Sequence, residues 1–209
     1  MICVAISDKN LENCLAVLER VEMAEIRIDL TEFGKEEIEK VFSHPTPTIA
    51  TCRPEKMGKE KQLELLIAAI NAGAKYVDIE IEAEKYQKEE ILRIAHSSRC
   101  KVIISYHNFT ETPGLRELYA VVDQCFEQGA DIAKIACVVE KTSDAARLLS
   151  LYESEMGATG KILALGMGSR GKVTRLAAPL LGAPFTYAAA APGEETAQGQ
   201  FDYATLTGL

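Results

Sequence analysis

Eight short apolar runs punctuate the chain, at residues 2–6, 24–29, 46–51, 76–81, 101–106, 131–137, 161–165 and 184–187. They are rich in Ile, Val and Ala with little sustained polar alternation, which predicts strands covered on both faces of a parallel sheet. The stretches between them place apolar residues three and four apart, the spacing of a helix with one buried face. Leu11, Leu15, Leu18 and Val21 set the first helix, over 11–21. Further helices are expected over 35–42, 60–72, 84–96, 114–128, 143–156 and 172–181. Gly73 and Gly129 stop two of them, and Thr112-Pro113 offers a cap and a first-turn proline to the helix opening at Gly114.

Strand then helix, repeated without a Pro/Gly-rich linker or a shift of composition, predicts one domain over residues 1–209. Eight units favour a closed (β/α)8 TIM barrel, an α/β fold, over an open doubly wound sheet. Only F-D-Y-A-T-L-T-G-L follows Gln200, so the eighth helix is expected to be weak. In such a barrel chemistry sits at the C-terminal ends of the strands.

Composition narrows the partners. The chain is 47% hydrophobic with a formal net charge of −8, which argues against nucleic acid or an anionic membrane surface as a partner. No apolar run has membrane-spanning length, and the N-terminus lacks the basic start and apolar core of a signal peptide. Cys3, Cys14, Cys52, Cys100, Cys125 and Cys137 form no C-x-x-C pair and fall mostly in apolar patterns. That is the usage of reduced, buried thiols in a cytoplasmic protein, rather than of zinc ligands or disulfides.

One residue breaks the pattern. Lys134 stands among Ile132, Ala133, Ile135 and Ala136 in the sixth predicted strand. A buried ammonium is costly unless it is paired, reaches solvent or gives up its proton. The strand alone leaves two readings open: a lysine that snorkels outward, or an amine nucleophile.

The neighbouring strand ends carry polar residues that bear on the choice. Glu25, Arg27 and Asp29 share one face of the second strand and are expected to point into the barrel, either pairing along the strand or holding a ligand. Arg53 follows the third strand. Asp78 and Glu80 share a face of the fourth, where Asp78 reads as a neutraliser of the barrel's arginines. His107 ends the fifth, whereas His44 and His96 are placed away from the mouth. Adjacent strands run about 4.8 Å apart, so His107 and Lys134 can meet one small carbonyl compound. The pair suits imine catalysis: the amine attacks a ketone, the iminium draws electrons, and the imidazole moves a proton at the next carbon. Class I aldolases use a barrel lysine in the same way.

Gly166, Gly168 and Gly171 spell G-x-G-x-x-G, but after the seventh strand and without the acid a dinucleotide site carries at the end of the next strand. They read as a glycine-rich barrel loop, with a phosphate site as the alternative.

Taken in order, E-I-R-I-D, T-C-R, V-D-I-E, S-Y-H-N-F, A-K-I-A, V-T-R-L-A and T-A-Q-G-Q resemble the type I 3-dehydroquinases, from Ile2 to about Tyr203. The resemblance implies a (β/α)8 barrel, usually a homodimer, that converts 3-dehydroquinate to 3-dehydroshikimate in the shikimate pathway without metal or cofactor. By position it implies Lys134 as the Schiff-base former and His107 as the proton carrier. Glu25 and Arg27 would hold ring hydroxyls, Arg53 and Arg175 would bind substrate with Arg175 on the carboxylate, and Thr196 and Gln200 would sit in the closing loop. The chain departs from the family in two places. Met57 stands where the family has a glutamate supporting the histidine, with Glu55 the nearest acid. The closing loop reads T-A-Q-G-Q, and the earlier A-P-G-E makes Glu194 the alternative to Gln200. A class I aldolase and a non-catalytic ligand-binding barrel are the competing readings.

Overall fold

All eight runs form strands in the structure, a computed structural model that describes residues 1–208. They are β1 (Ile2–Ile6), β2 (Met23–Arg27), β3 (Thr48–Thr51), β4 (Tyr76–Glu80), β5 (Lys101–Asn108), β6 (Ile132–Val138), β7 (Ile162–Met167) and β8 (Thr186–Ala189). They pair in parallel in the order β7-β6-β5-β4-β3-β2-β1-β8, so chain neighbours are mostly sheet neighbours, as in a barrel. Helices Lys35–Phe42, Lys59–Ala72 and Leu115–Glu127 each bury one apolar face. Ile38, Val41 and Phe42 do so on the first, Leu65, Leu66, Ala69 and Ile70 on the second, and Leu118, Val122 and Cys125 on the third. These faces join the strands in one hydrophobic core, and each large aliphatic side chain so buried contributes about 1.5–3 kcal/mol.

Among the described residues no ladder joins β7 to β8, which leaves a seam in the barrel wall. A short ninth strand, β9 (Phe201–Asp202), pairs instead with the outer edge of β8, Ala188 opposite Phe201. The edge of β7 is satisfied one alternate residue at a time. Ala164 N donates to the Tyr152 hydroxyl at 2.8 Å, and that hydroxyl donates to Ala164 O at 3.2 Å. Gly166 N donates to Thr174 Oγ1 at 2.7 Å, and Gly168 N to Gln198 O at 3.1 Å. Unpaired backbone groups inside a wall are costly, and these partners remove the cost without a ladder. Tyr152→Phe should therefore lower stability by about 1–3 kcal/mol, read as a lower denaturant midpoint with an unchanged slope. An unchanged midpoint would mean that the seam does not need this hydroxyl.

The seam accounts for most differences from the expected elements. The helix expected over 143–156 ends at Ser150 and continues as a 3-10 turn (Leu151–Glu153) and a short helix (Glu155–Ala158), which turns Tyr152 inward. Of the G-x-G-x-x-G glycines, Gly166 and Gly171 pack against each other, while Gly168 turns the chain at a φ of +83°. A Cβ on Gly171 would lie 2.4 Å from the Gly166 carbonyl carbon, so the start of helix Lys172–Leu180 can press against the end of β7. A Cβ on Gly199 would lie 2.3 Å from Gly168 O, which lets the loop before β9 enter the seam.

Three smaller differences are local. β2 ends at Arg27, and Asp29 lies in the turn of helix Ile28–Thr31 rather than on the strand face. Thr112 does not cap the next helix: its hydroxyl donates to Val138 O at 2.6 Å, while Glu117 accepts from Gly114 N at the helix start. β5 extends through His107 to Asn108, so the histidine belongs to the strand itself.

Candidate active site

Inward-facing strand residues and the loops beyond them enclose a cavity of about 400 Å³ at the C-terminal mouth. Glu25, Arg27, Arg53, His107, Lys134, Arg175, Thr196 and Gln200 all line it. Eight positions scattered from 25 to 200 in the sequence thus meet in one volume, while Glu194 is exposed and does not line it.

Lys134 is 7% exposed. Its surroundings are less apolar than Ile132 and Ala136 suggest, because inward residues of β2, β4 and β8 converge on the amine. Nζ donates to Asp78 Oδ2 at 2.9 Å, reaches Glu25 Oε1 at 3.5 Å and lies 4.7 Å from the centre of the Tyr187 ring. Glu25 Oε1 also accepts from Thr51 Oγ1 at 2.9 Å and from the Tyr187 hydroxyl at 3.2 Å. Asp78 is fully buried, and its Oδ1 accepts from Ser105 Oγ at 2.7 Å and Arg53 Nη2 at 2.9 Å. Burial pushes the Asp78 carboxyl upward, but the Lys134 and Arg53 cations outweigh it and hold the group well below the usual carboxylate range.

The three arginines differ in how far they are already paired. Arg27 forks onto Asp29 at 2.7 and 3.1 Å. Arg53 binds Asp78, lies 3.7 Å from Glu80 through Nε, and leaves Nη1 buried without a partner among the described residues. Arg175 is 3% exposed, and among the described residues no carboxylate pairs with it and its Nε has no hydrogen-bond partner. Burial pulls Arg175 down to about 10, opposed by Tyr187. A buried cation without a counter-charge, on the wall of a cavity, is a place for an anionic ligand.

His107 lies one inward step along β5 from Ser105, which is in register with Lys134. Its ring stacks on that of Phe109, with centroids 5.9 Å apart and planes 9° from parallel. Burial, then Lys134 and Arg53, pull the imidazole from 6.5 to about 3, with Asp78 opposing them.

A family model for type I 3-dehydroquinase matches residues 2–209. The 3-dehydroquinate dehydratase of Methanocaldococcus jannaschii is 34% identical over 99% of this chain and 96% of its own length. Among solved structures, the type I 3-dehydroquinate dehydratase of Clostridium difficile with covalently modified comenic acid gives a TM-score of 0.84 at 26% identity, covering 99% of this chain and 89% of that one. The 3-dehydroquinate dehydratase of Aquifex aeolicus gives 0.82 at 28% identity, covering 100% and 96%.

This chain belongs to the type I 3-dehydroquinase family. Members are hydro-lyases. Met57 packs inward, its Sδ 3.4 Å from Cys52 Sγ. Glu55 lines the cavity mouth, yet no described carboxylate hydrogen-bonds His107. The low value has a readable consequence. The unfolded chain takes up a proton on this group near 6.5, the folded chain only near 3, so stability present above 6.5 is lost progressively as pH falls between them. In kcat/KM, which reports the free enzyme, His107 should give no break at 6.5. A break there that vanishes in His107→Ala would contradict this environment.

In the loop before β9, Thr196 and Gln200 bond to each other. Gln200 Oε1 accepts from Thr196 N at 2.9 Å and its amide donates to Thr196 Oγ1 at 3.2 Å. Sequence reasoning left Asp78 without a part in the chemistry and missed Thr51, Ser105, Tyr187 and Phe109. Strand parity holds a signal for Ser105, two residues before His107 on the same face of β5. Phe109, 73% exposed on the loop beyond, carries none.

Proposed function

We propose that this chain dehydrates 3-dehydroquinate to 3-dehydroshikimate through an imine on Lys134. The supporting observation is a buried amine, an imidazole on the adjacent strand and an unpaired buried guanidinium sharing one cavity of about 400 Å³. The ketone and the lysine ammonium lose water to give an iminium, the third ammonium proton staying on nitrogen. His107 takes a proton from the carbon beside it, and returns that proton to the hydroxyl leaving from the next carbon. Water then releases the enone and restores the amine. Arg175 holds the carboxylate, where a charge-assisted fork replaces the missing counter-ion. Glu25, Arg27 and Arg53 line the wall where ring hydroxyls would sit, and Thr196 and Gln200 exchange their mutual bonds for substrate. Free, buried cysteines support a reducing, cytoplasmic setting, and the reading extends to a homodimer, which sedimentation would test.

The direct test mixes the protein with 3-dehydroquinate and follows the ultraviolet absorbance of a conjugated enone carboxylate, with the product identified by NMR. Growing absorbance and an intact carbon skeleton support dehydration. Carbon–carbon cleavage products would favour the aldolase reading, and no turnover would leave a ligand-binding barrel.

A further inference from the structure

Asp78 has no part in the scheme above, yet it makes the shortest polar contact to the reacting nitrogen, 2.9 Å from Lys134 Nζ. We propose that Asp78 is a further catalytic residue, the counter-ion that keeps the imine on Lys134 protonated while the adjacent carbon–hydrogen bond breaks. This rests on the reading of Lys134 as the Schiff-base former.

The balance of the step argues for it. A lysine ammonium and a ketone give an iminium and water: two protons of the ammonium leave with the carbonyl oxygen, and the third stays on nitrogen. The positive charge therefore begins and ends at the same atom. A carboxylate set against that nitrogen is matched before the reaction and matched again on the intermediate. A buried anion would otherwise be stranded by any step that removed its cation. An imine is also a weaker base than an amine, and only its protonated form withdraws electrons strongly enough to acidify the neighbouring carbon. An anion at hydrogen-bond distance favours that form.

Other groups around the amine fill the role less well. Glu25 on β2 stands farther off, at 3.5 Å, and its Oε1 is shared with Thr51 and the Tyr187 hydroxyl. Tyr187 on β8 offers a ring face at 4.7 Å. Cys3 on β1 is near enough to feel both Lys134 and Glu25, but burial keeps its thiol protonated. His107 on β5 brings no negative charge. Arg53 from the loop after β3 and Ser105 on β5 both bind Asp78 Oδ1, which leaves Oδ2 aimed at the nitrogen. Their hold also keeps Asp78 from taking the imine's proton: burial alone would raise the carboxyl, and the cations beside it reverse that.

The test traps the imine with borohydride in the presence of 3-dehydroquinate across a pH series, in the wild-type chain and in Asp78→Asn, with the adduct weighed by mass spectrometry. In Asp78→Asn the upper midpoint of trapping and the basic limb of kcat should both move down by about 1–3 pH units. Above that midpoint kcat should fall roughly tenfold per unit, with KM little changed. Glu25→Gln should move the midpoint less. A folded Asp78→Asn protein with the wild-type midpoint and basic limb overturns the proposal. If Asp78→Asn does not fold, Ser105→Ala decides, because it keeps both charges and removes the 2.7 Å bond steadying Asp78 together with a 3.3 Å bond from Arg53 Nη2. A downward midpoint there supports the counter-ion and an unmoved one overturns it. No adduct in the wild-type chain would fell the Schiff-base reading itself, whereas a wild-type adduct with unshifted variants would fell only the part given to Asp78.

Discussion

Replacing Lys134 with alanine should abolish turnover, with a fall on the order of 10⁶, the scale seen when the nucleophile is taken from a covalent enzyme. It should also destabilise the fold, which many active-site truncations do not. Asp78 would keep Arg53 and Ser105, but among the described residues Glu25 would be left hydrogen-bonded to Thr51 and Tyr187 with no cation in contact. Breaking a buried pair by deleting one partner costs about 3–5 kcal/mol because the survivor is stranded. Lys134→Arg separates the two effects. A guanidinium keeps a cation between the carboxylates but does not form the imine, so stability should recover most of the loss while activity does not. Retained turnover in either variant, measured by enone absorbance, would remove Lys134 from the chemistry.

His107→Ala should behave differently at each stage. The amine and its carboxylates are untouched, so the imine should still form and, with proton transfer slowed by about 10² to 10⁴, should accumulate. Mass spectrometry during turnover would show the covalent complex as a larger fraction of the protein than in wild type. Because the folded imidazole resists protonation down to about 3, the substitution should also soften the loss of stability between pH 6.5 and that value. Near-normal kcat would exclude His107 as the proton carrier. A lower level of trapped complex together with slow kcat would place its effect before the imine.

What the amino-acid pattern revealed, and what it hid, follows from the range of the interactions involved. Strands read well because each is a run of apolar residues set by local burial, and Lys134 stood out because it violates that rule. Inward placement of Glu25 and Arg27 followed from the two-residue period of a strand. That period misled at Asp29, where the chain turns into a helix two residues early yet returns the carboxylate to Arg27 through the side chain. The seam was hidden because its partners come from three unrelated places, Tyr152, Thr174 and Gln198, and none shows a local signal. β9 was hidden for a similar reason: two residues are too few for a periodicity. Asp78 was seen as a neutraliser of arginine, which is half of what it does, since the other oxygen is bound to Lys134. The resemblance marked Met57 as a departure, but that no described carboxylate hydrogen-bonds His107 required side-chain positions.

The central claim is a covalent bond between Lys134 and the substrate ketone. Borohydride reduction during turnover of 3-dehydroquinate, followed by proteolysis and peptide mass mapping, tests it most directly. A reduced adduct confined to the peptide that contains Lys134, with activity lost in proportion, is the result expected. Turnover that continues without an adduct, or an adduct on a different lysine, would contradict it.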